Sequence, residues 1–179
     1  MAAAPDLATL AARAAIADVV HRYCHGIDRR RWELMAGCFH PDATYRFNSI
    51  EGGWQEFVAV AKAIIGPLLM SQHLVGNMLI RVDGDHADSE SYFVAYHRVA
   101  ADAPADAIFP GTGVAREVVI AGRYVDRFEC RDGDWRIAHR IGLSDWRRDT
   151  PASEAGLYDQ PPAWRGRFGT DDPGSAVLP

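Results

Sequence analysis

The sequence predicts an α+β fold in which N-terminal helices pack on a cone-shaped, curved antiparallel sheet and enclose a cavity. Three observations lead to this prediction. Apolar residues in the first third of the chain recur every three or four positions, as on one face of a helix. After Gly66-Pro67 the apolar period changes to two, as in strands. Turn sequences at Asp83-Gly84-Asp85 and Asp132-Gly133 then divide the strand-forming region into two long hairpins.

The N-terminal part of the chain predicts three helices and one short strand. We expect the helices at Pro5–Cys24, Arg29–Phe39 and Trp54–Ile65, and the strand at Ala43–Phe47. Gly26 is expected to break the first helical pattern, since glycine is unfavourable inside a helix. Asp28 then precedes the second helix and is placed to cap it through its carboxylate.

Four long strands account for most of the remaining chain. We expect them at Ser71–Val82, His86–Ala100, Val114–Arg131 and Trp135–Trp146. The last residues are rich in proline and glycine and predict an irregular tail that wraps either the domain or a neighbouring subunit. We therefore divide the chain into one domain at 1–148 and a tail at 149–179.

Composition limits the classes of protein to which this chain can belong. Its 179 residues correspond to one domain, and 48% hydrophobic with 24% charged residues is typical of a globular protein. A formal net charge of −5 argues against a nucleic-acid partner, because binding to phosphates needs excess basic charge. The three cysteines include no C-x-x-C pair, and no stretch is apolar enough to span a membrane. We therefore expect a cytoplasmic protein without membrane attachment.

Several segments together resemble one known superfamily. They are Ile16-Ala17-Asp18, Gly26-Ile27-Asp28, Phe39-His40-Pro41-Asp42-Ala43, His73-Leu74-Val75-Gly76-Asn77, Gly122-Arg123-Tyr124-Val125-Asp126-Arg127-Phe128 and Asp132-Gly133-Asp134-Trp135-Arg136-Ile137. The chain resembles the SnoaL-like branch of the nuclear transport factor 2-like superfamily, whose fold is also described as a cystatin-like α+β barrel. Within it the chain is most similar to scytalone dehydratase, bile acid 7α-dehydratase and hexachlorocyclohexane dehydrochlorinase. The resemblance implies a homotrimer.

The same resemblance implies a catalytic pair formed by Asp28 and His73. Imidazole has the pKa best suited to removing a carbon-bound proton near neutral pH, so His73 fits the role of base. Asp28 would fix its tautomer and stabilise the imidazolium, and the reaction then needs no metal and no organic cofactor. Tyr23 matches a dehydratase tyrosine, and both Tyr23 and Tyr45 can donate hydrogen bonds to a substrate carbonyl. Judged from the residues alone, other roles stay open. His73 and Tyr23 also fit a place in the core, and Asp28 also fits a simple helix cap.

Three further polar residues are candidates for the site. His97 is a candidate proton donor to the leaving hydroxide if the Asp83-Gly84-Asp85 loop counts three residues, because position 73 then faces position 95. A two-residue loop would shift the register and undo this arrangement. Asn77 is a candidate through the His-x-x-x-Asn segment of the resemblance, and the alternative that it only marks the fold stays open. Arg140 is expected on the sheet face opposite Tyr124 and Asp126, where it either orients a polar substrate group or forms a structural salt bridge.

Aromatic residues predict a hydrophobic substrate. The expected cavity lining includes Trp32, Trp54, Phe57 and Phe93, which offer more apolar area than a sugar or an amino acid can use. We therefore expect a cofactor-independent dehydratase that acts on a polycyclic or aromatic hydroxy-carbonyl compound. Three alternatives stay open at this point: an isomerase or polyketide cyclase with the same base, a non-catalytic β subunit of a ring-hydroxylating dioxygenase, and a ligand-binding module.

Overall fold

The N-terminal helices lie against one face of a curved sheet, as the sequence predicts. The computed structural model describes residues 4–47, 50–153, 161 and 164–177. The helices are α1 (Leu7–Asp28), α2 (Trp32–Ala36) and α3 (Trp54–Ile65). The strands are β1 (Phe39–Phe47), β2 (Ile50–Gly53), β3 (Met70–Asp83), β4 (His86–Val99), β5 (Arg116–Arg131) and β6 (Asp134–Pro151). They form one sheet in the order β2-β1-β6-β5-β4-β3. The predicted α+β class is therefore confirmed.

Helix α1 continues through Gly26 instead of ending before it. Gly26 is buried, and a Cβ atom at this position would lie 2.7 Å from the backbone nitrogen of Met35. The glycine thus permits close packing of α1 against α2 and does not break the helix. As a result, Asp28 is the last residue of α1, while Arg31 is the N-cap of α2. The prediction that Asp28 caps the second helix is wrong, and its carboxylate has other partners.

The second predicted helix is shorter than expected and is followed directly by the sheet. Helix α2 ends at Ala36, and Phe39 begins β1, where it pairs with Ile137 of β6. The β1–β6 pairing is parallel, whereas the other strand pairs are antiparallel. Phe39 is buried, so pairing and burial in the sheet override its local helical pattern. The short strand β2, which was not predicted, pairs with β1.

A β-bulge in β3 sets the register between β3 and β4. The hairpin has a two-residue loop, since Asp83 pairs directly with His86. That loop alone would place His73 opposite Tyr96, but the register shifts by one residue between Gly76 and Leu79, so His73 pairs with Ala95. Asn77 lies in the bulge with a φ of +47°, a left-handed conformation that asparagine tolerates. The predicted pairing is therefore confirmed, although by a bulge and not by a three-residue loop.

Two more bulges change which residues of β6 face the helices. The first, at Ala138, places Arg140 opposite Asp126, so the prediction that they lie on opposite faces is wrong. The second, at Asp145, leaves Gly122 paired with Ser144 and Ala121 paired with Trp146. Each bulge adds one residue to β6 and therefore reverses the alternation of its side chains beyond that point.

The C-terminal segment contacts the end of α1. Strand β6 continues to Pro151 and so includes the first residues of the predicted tail. Farther along, the backbone N–H of Gly169 donates to the carbonyl of Arg29 at 2.6 Å, and the Arg30 guanidinium lies 3.5 Å from the centre of the Phe168 ring. Residues 154–160, 162–163 and 178–179 of the predicted tail lie outside the described residues.

Candidate functional site

A largely apolar cavity of about 410 Å³ lies between α1, α3 and the inner face of the sheet. Of the predicted site residues, six line it: Tyr23, Tyr45, Phe57, His73, Phe93 and His97. Its lining also includes aliphatic residues that were not predicted: Ile27, Ile50, Ala61, Ile64, Ile65 and Ile120. Such a lining is typical of sites for hydrophobic small molecules.

Three predicted site residues lie elsewhere. Trp54 stacks on Phe39 with a centroid distance of 6.1 Å, and its Nε1 donates to the carbonyl of Pro41 at 3.1 Å. Trp32 packs against the core next to Lys62, whose Nζ lies 5.9 Å from the ring. Asn77 is exposed at the bulge in β3, so its contribution is to the backbone conformation of that strand. None of these three side chains is part of the described cavity lining.

Asp28 and His73 meet at the wall of the cavity. Nδ1 of His73 donates to Oδ1 of Asp28 at 2.7 Å, so Nε2 of the neutral ring carries the free lone pair. The backbone N–H of His73 donates to Oδ2 of Asp28 at 2.6 Å. Ser71 completes the set, because its Oγ donates to Oδ1 at 2.8 Å. Sequence reasoning missed Ser71, whose position two residues before His73 on a strand placed it on the same face.

The environment of Asp28 favours its ionised form. Burial raises the pKa of Asp28, but the hydrogen bonds from His73 and Ser71 outweigh burial and hold it below its ordinary value. The two side chains are 7% and 8% exposed, so water screens this pair little. A buried carboxylate in this position can stabilise positive charge on the ring of His73.

His97 lies next to His73, and its surroundings favour the neutral form of its ring. The two ring centroids are 5.8 Å apart, and the rings are nearly perpendicular. Burial, and to a smaller extent the neighbouring titratable ring of His73, lowers the pKa of His97 to about 4. Nδ1 of His97 lies 3.3 Å from the carbonyl of Val118, which can only accept, so this nitrogen carries the proton and Nε2 is an acceptor. The neutral ring of His97 thus presents a hydrogen-bond acceptor, whereas the predicted role of proton donor would need the protonated ring.

The low pKa of His97 predicts a loss of stability in acid. Between pH 6.5 and about 4 the unfolded chain binds a proton at this histidine that the folded protein does not bind, so stability falls as the pH falls. We expect this residue to contribute a loss of about 2–3 kcal/mol in the free energy of unfolding between pH 7.5 and 4.5. Urea unfolding at both pH values should show that His97→Gln is less acid-sensitive than the wild type. The exposed His86→Gln is the control, and an unchanged pH dependence in His97→Gln would contradict the prediction.

Three buried tyrosines form the inner end of the cavity. The Tyr23 ring packs edge-on against Tyr124 at a centroid distance of 5.7 Å, and the Tyr45 ring stacks on Phe57 at 3.5 Å. Burial raises the pKa of Tyr23 to about 12 and that of Tyr45 and Tyr124 well above the ordinary value. All three phenols therefore keep their protons near neutral pH and can act as hydrogen-bond donors.

The buried guanidinium of Arg140 packs against two of these tyrosine rings. Its Nε and Nη2 donate to the two carboxylate oxygens of Asp126 at 2.6 and 2.7 Å, and both side chains are fully buried. Its Cζ lies 4.2 Å from the ring centres of both Tyr23 and Tyr124. Of the two predicted roles for Arg140, the structure shows the salt bridge, while its guanidinium is not part of the described cavity lining.

The loop between β4 and β5 and the end of β6 contribute a second group of residues that the sequence did not identify. Phe109 stacks on His97 at a centroid distance of 5.4 Å, and Ile108 lines the cavity while 56% exposed. Ser144 and Arg147 of β6 line the same region. The bulge at Asp145 places Arg147 on the inner face of the sheet. The alternating pattern of the strand does not predict this position, because it contains no sign of the bulge.

In the described part of the chain no helix has both the length and the apolar character needed to cross a bilayer. A search of the same residues for clusters of three or more histidine, cysteine, aspartate or glutamate side chains able to hold a metal ion finds none.

Comparisons with known proteins agree with this architecture. The uncharacterised protein Rv2910c of Mycobacterium tuberculosis is 30% identical over 140 residues, which cover 76% of this chain and 87% of the relative. Hexachlorocyclohexane dehydrochlorinase LinA-type3 from Novosphingobium barchaimii superposes with a TM-score of 0.67 at 22% identity, over 88% of this chain and all of the other. A candidate scytalone dehydratase from Novosphingobium aromaticivorans gives a TM-score of 0.66 at 20% identity, over 86% and 97% of the chains.

These two structural likenesses show the fold, and a family model identifies the family. The model of the SnoaL-like domain matches residues 8–141, which include Asp28, His73, nearly all of α1 and the first part of β6. The chain therefore belongs to the SnoaL-like domain family.

Proposed function

We propose that this protein is a cofactor-independent lyase that eliminates water from a hydrophobic hydroxy-carbonyl compound. One observation carries the proposal: an imidazole whose Nδ1 is held by a buried carboxylate lines an apolar cavity. This arrangement is typical of general-base catalysis, in which a buried acid fixes the tautomer of the base. The names of the dehydrochlorinase and candidate dehydratase with this fold agree with an elimination reaction.

The proposed reaction begins with removal of a proton next to the substrate carbonyl. Nε2 of His73 accepts this proton, and the electrons of the C–H bond delocalise toward the carbonyl oxygen as an enolate. Tyr23 and Tyr45 donate hydrogen bonds to the developing oxyanion, with the charged Arg140 behind Tyr23. Asp28 stabilises the imidazolium that forms, so both charges of the intermediate have a partner.

Loss of the hydroxyl group completes the reaction. The enolate electrons form the new C=C bond, the C–O bond breaks, and the leaving oxygen takes the proton from the His73 imidazolium. Water departs, and His73 returns to its neutral form. Neutral His97 can accept a hydrogen bond from the substrate hydroxyl and hold it near His73 beforehand. A single base thus serves both proton transfers, and no separate acid is needed.

Replacement of His73 tests this proposal. Purified wild-type protein should convert members of a panel of aromatic and polycyclic β-hydroxy ketones to conjugated enones, followed by absorbance. His73→Ala should lower kcat by at least about 1,000-fold, because the base is lost. His86→Ala, at an exposed position in the hairpin of β3 and β4, is the matched control and should keep wild-type activity.

Product mass distinguishes the alternatives. A dehydratase product lacks one molecule of water, whereas an isomerase or cyclase product keeps the mass of the substrate. Full turnover by His73→Ala would overturn the mechanism. Tight binding by the wild type without conversion of any bound compound would instead favour a ligand-binding module, and copurification with a larger iron-containing chain would favour a dioxygenase subunit.

Assembly as a homotrimer is implied by the family resemblance and stays a prediction. The outer face of the sheet supports self-association, because large apolar side chains are exposed there. Leu74, Val94 and Trp146 form a cross-strand row with Ala121 and are 70%, 41% and 52% exposed, respectively. Exposed apolar rows of this kind are common at interfaces between subunits.

A further inference from the structure

Arg147 lies at the opposite end of the cavity from Asp28. The register joins four residues into one row across the inner face of the sheet, because His73 pairs with Ala95, Ala95 with Ile120, and Ile120 with Arg147. Neighbouring strands are about 4.8 Å apart, so the two ends of the row are separated by roughly 14 Å between Cα atoms. All four residues line the cavity.

The row is polar at its two ends and apolar between them. Arg147 is the one arginine, lysine, aspartate or glutamate among the described lining residues, and the floor between it and His73 consists of Ala95 and Ile120. Its Cζ also lies 5.3 Å from the ring centre of Phe109, on the loop that covers His97. A bound molecule in contact with His73 can therefore extend along the apolar residues Ala95 and Ile120 to the guanidinium of Arg147, whose side chain is 47% exposed.

The charge around Arg147 is not cancelled locally. Its Nη2 donates to Oδ2 of Asp149 at 2.7 Å, but the same oxygen also accepts from Nη1 of Arg116 at 2.6 Å. Burial raises the pKa of Asp149, yet the hydrogen bonds from both arginines outweigh burial and keep the group ionised. Two guanidinium groups share one carboxylate, which leaves one net positive charge beside the cavity.

We propose that Arg147 binds a terminal carboxylate of the substrate and so selects elongated apolar acids. The proposal rests on the proposed function for the position of the reacting carbon next to His73, whereas recognition of the acid depends on Arg147 alone. One net positive charge matches a monoanion, and the planar guanidinium matches the geometry of a carboxylate. Arg116 fixes this end of the cavity, since its Nη2 donates to the carbonyl of Pro110 at 2.7 Å in the loop that carries Phe109.

A pair of small ligands tests the proposal without any turnover. Biphenyl-4-carboxylate and its neutral analogue biphenyl-4-carboxamide have the same shape, and their dissociation constants can be measured by isothermal titration calorimetry. We expect the wild type to bind the acid about tenfold more tightly than the amide, as a charge-assisted hydrogen bond predicts. Arg147→Gln should abolish this preference and leave the affinity for the amide within about twofold.

Two further variants separate direct contact from general electrostatics. Arg148→Gln removes the same charge from the adjacent residue, which pairs with Val119 on the outer face, and should keep the preference for the acid. Arg147→Lys keeps the charge but not the planar guanidinium, so it should retain only part of the preference. Circular dichroism and thermal unfolding verify that each variant is folded.

Three results would overturn the proposal. They are no preference for the acid in the wild type, an unchanged preference in Arg147→Gln, or an equal loss in Arg148→Gln. Repeating the titrations in His73→Ala distinguishes this proposal from the proposed function, because recognition of the acid should survive there even though catalysis does not.

Discussion

Replacement of Asp28 by asparagine should lower kcat by roughly 1,000- to 10,000-fold, the range known for loss of the orienting acid in a catalytic triad. Asp28 accepts three hydrogen bonds, one each from Ser71 Oγ, His73 Nδ1 and the His73 backbone N–H. An amide has one acceptor oxygen, so its NH₂ group must face a former donor. The most adaptable response is for Nδ1 of His73 to become an acceptor, which moves the proton to Nε2 and removes the base from the cavity.

Steady-state kinetics and unfolding measurements together test this outcome. In Asp28→Asn we expect KM to change only a few-fold, because the apolar lining that binds substrate is unaffected. Asp18→Asn, exposed on the same helix, should behave like the wild type. A folded Asp28→Asn variant with near wild-type kcat would show that the carboxylate has only a structural role.

Removal of the Asp126 carboxylate should destabilise the protein by about 3–5 kcal/mol, because it leaves a buried guanidinium without its counter-ion. Burial lowers the pKa of Arg140, but Asp126 outweighs this and raises it above the ordinary value, so the guanidinium is charged. Urea unfolding of Asp126→Ala measures the loss. The same group packs against Tyr23 and Tyr124, since Cζ of Arg140 lies 4.2 Å from both ring centres.

An exposed ion pair provides the control for this measurement. Arg81 and Asp88 form a salt bridge at 2.7 Å with side chains 82% and 53% exposed, so Asp88→Ala should cost less than about 1 kcal/mol. The double variant Asp126→Leu with Arg140→Met should recover much of the stability, because no charge is then buried unpaired. Equal effects of Asp126→Ala and Asp88→Ala would contradict the expected role of burial.

The local sequence was sufficient for much of the fold. Helix α3 lies where the pattern placed it, and both hairpins turn at their Asp-Gly sequences. In these segments apolar periodicity and turn residues agree, so local and global preferences point to the same structure. The segment after Asp28 was predicted less well. There, close packing at Gly26 and pairing of Phe39 in the sheet override local signals.

The candidate site, like the fold, was predicted only in part from the sequence. Asp28 and His73 were identified through their resemblance to a family motif, and the structure joins them by a hydrogen bond. Trp32 and Trp54 have the residue type expected of a cavity wall, but they pack outside it. Residue type indicates that a side chain is buried, whereas its neighbours in the fold decide which part of the interior it occupies.

By itself the sequence determined the order of the elements, the two hairpins and the residues able to form a dyad. Tertiary structure decided which side chains face the cavity, chiefly through the bulges near Asn77, Ala138 and Asp145. These bulges place His73 and His97 together, bring Arg140 to Asp126, and turn Arg147 inward. The physical reason is that one extra residue reverses the alternation of a strand, and whether a residue is extra depends on the partner strand against which it pairs.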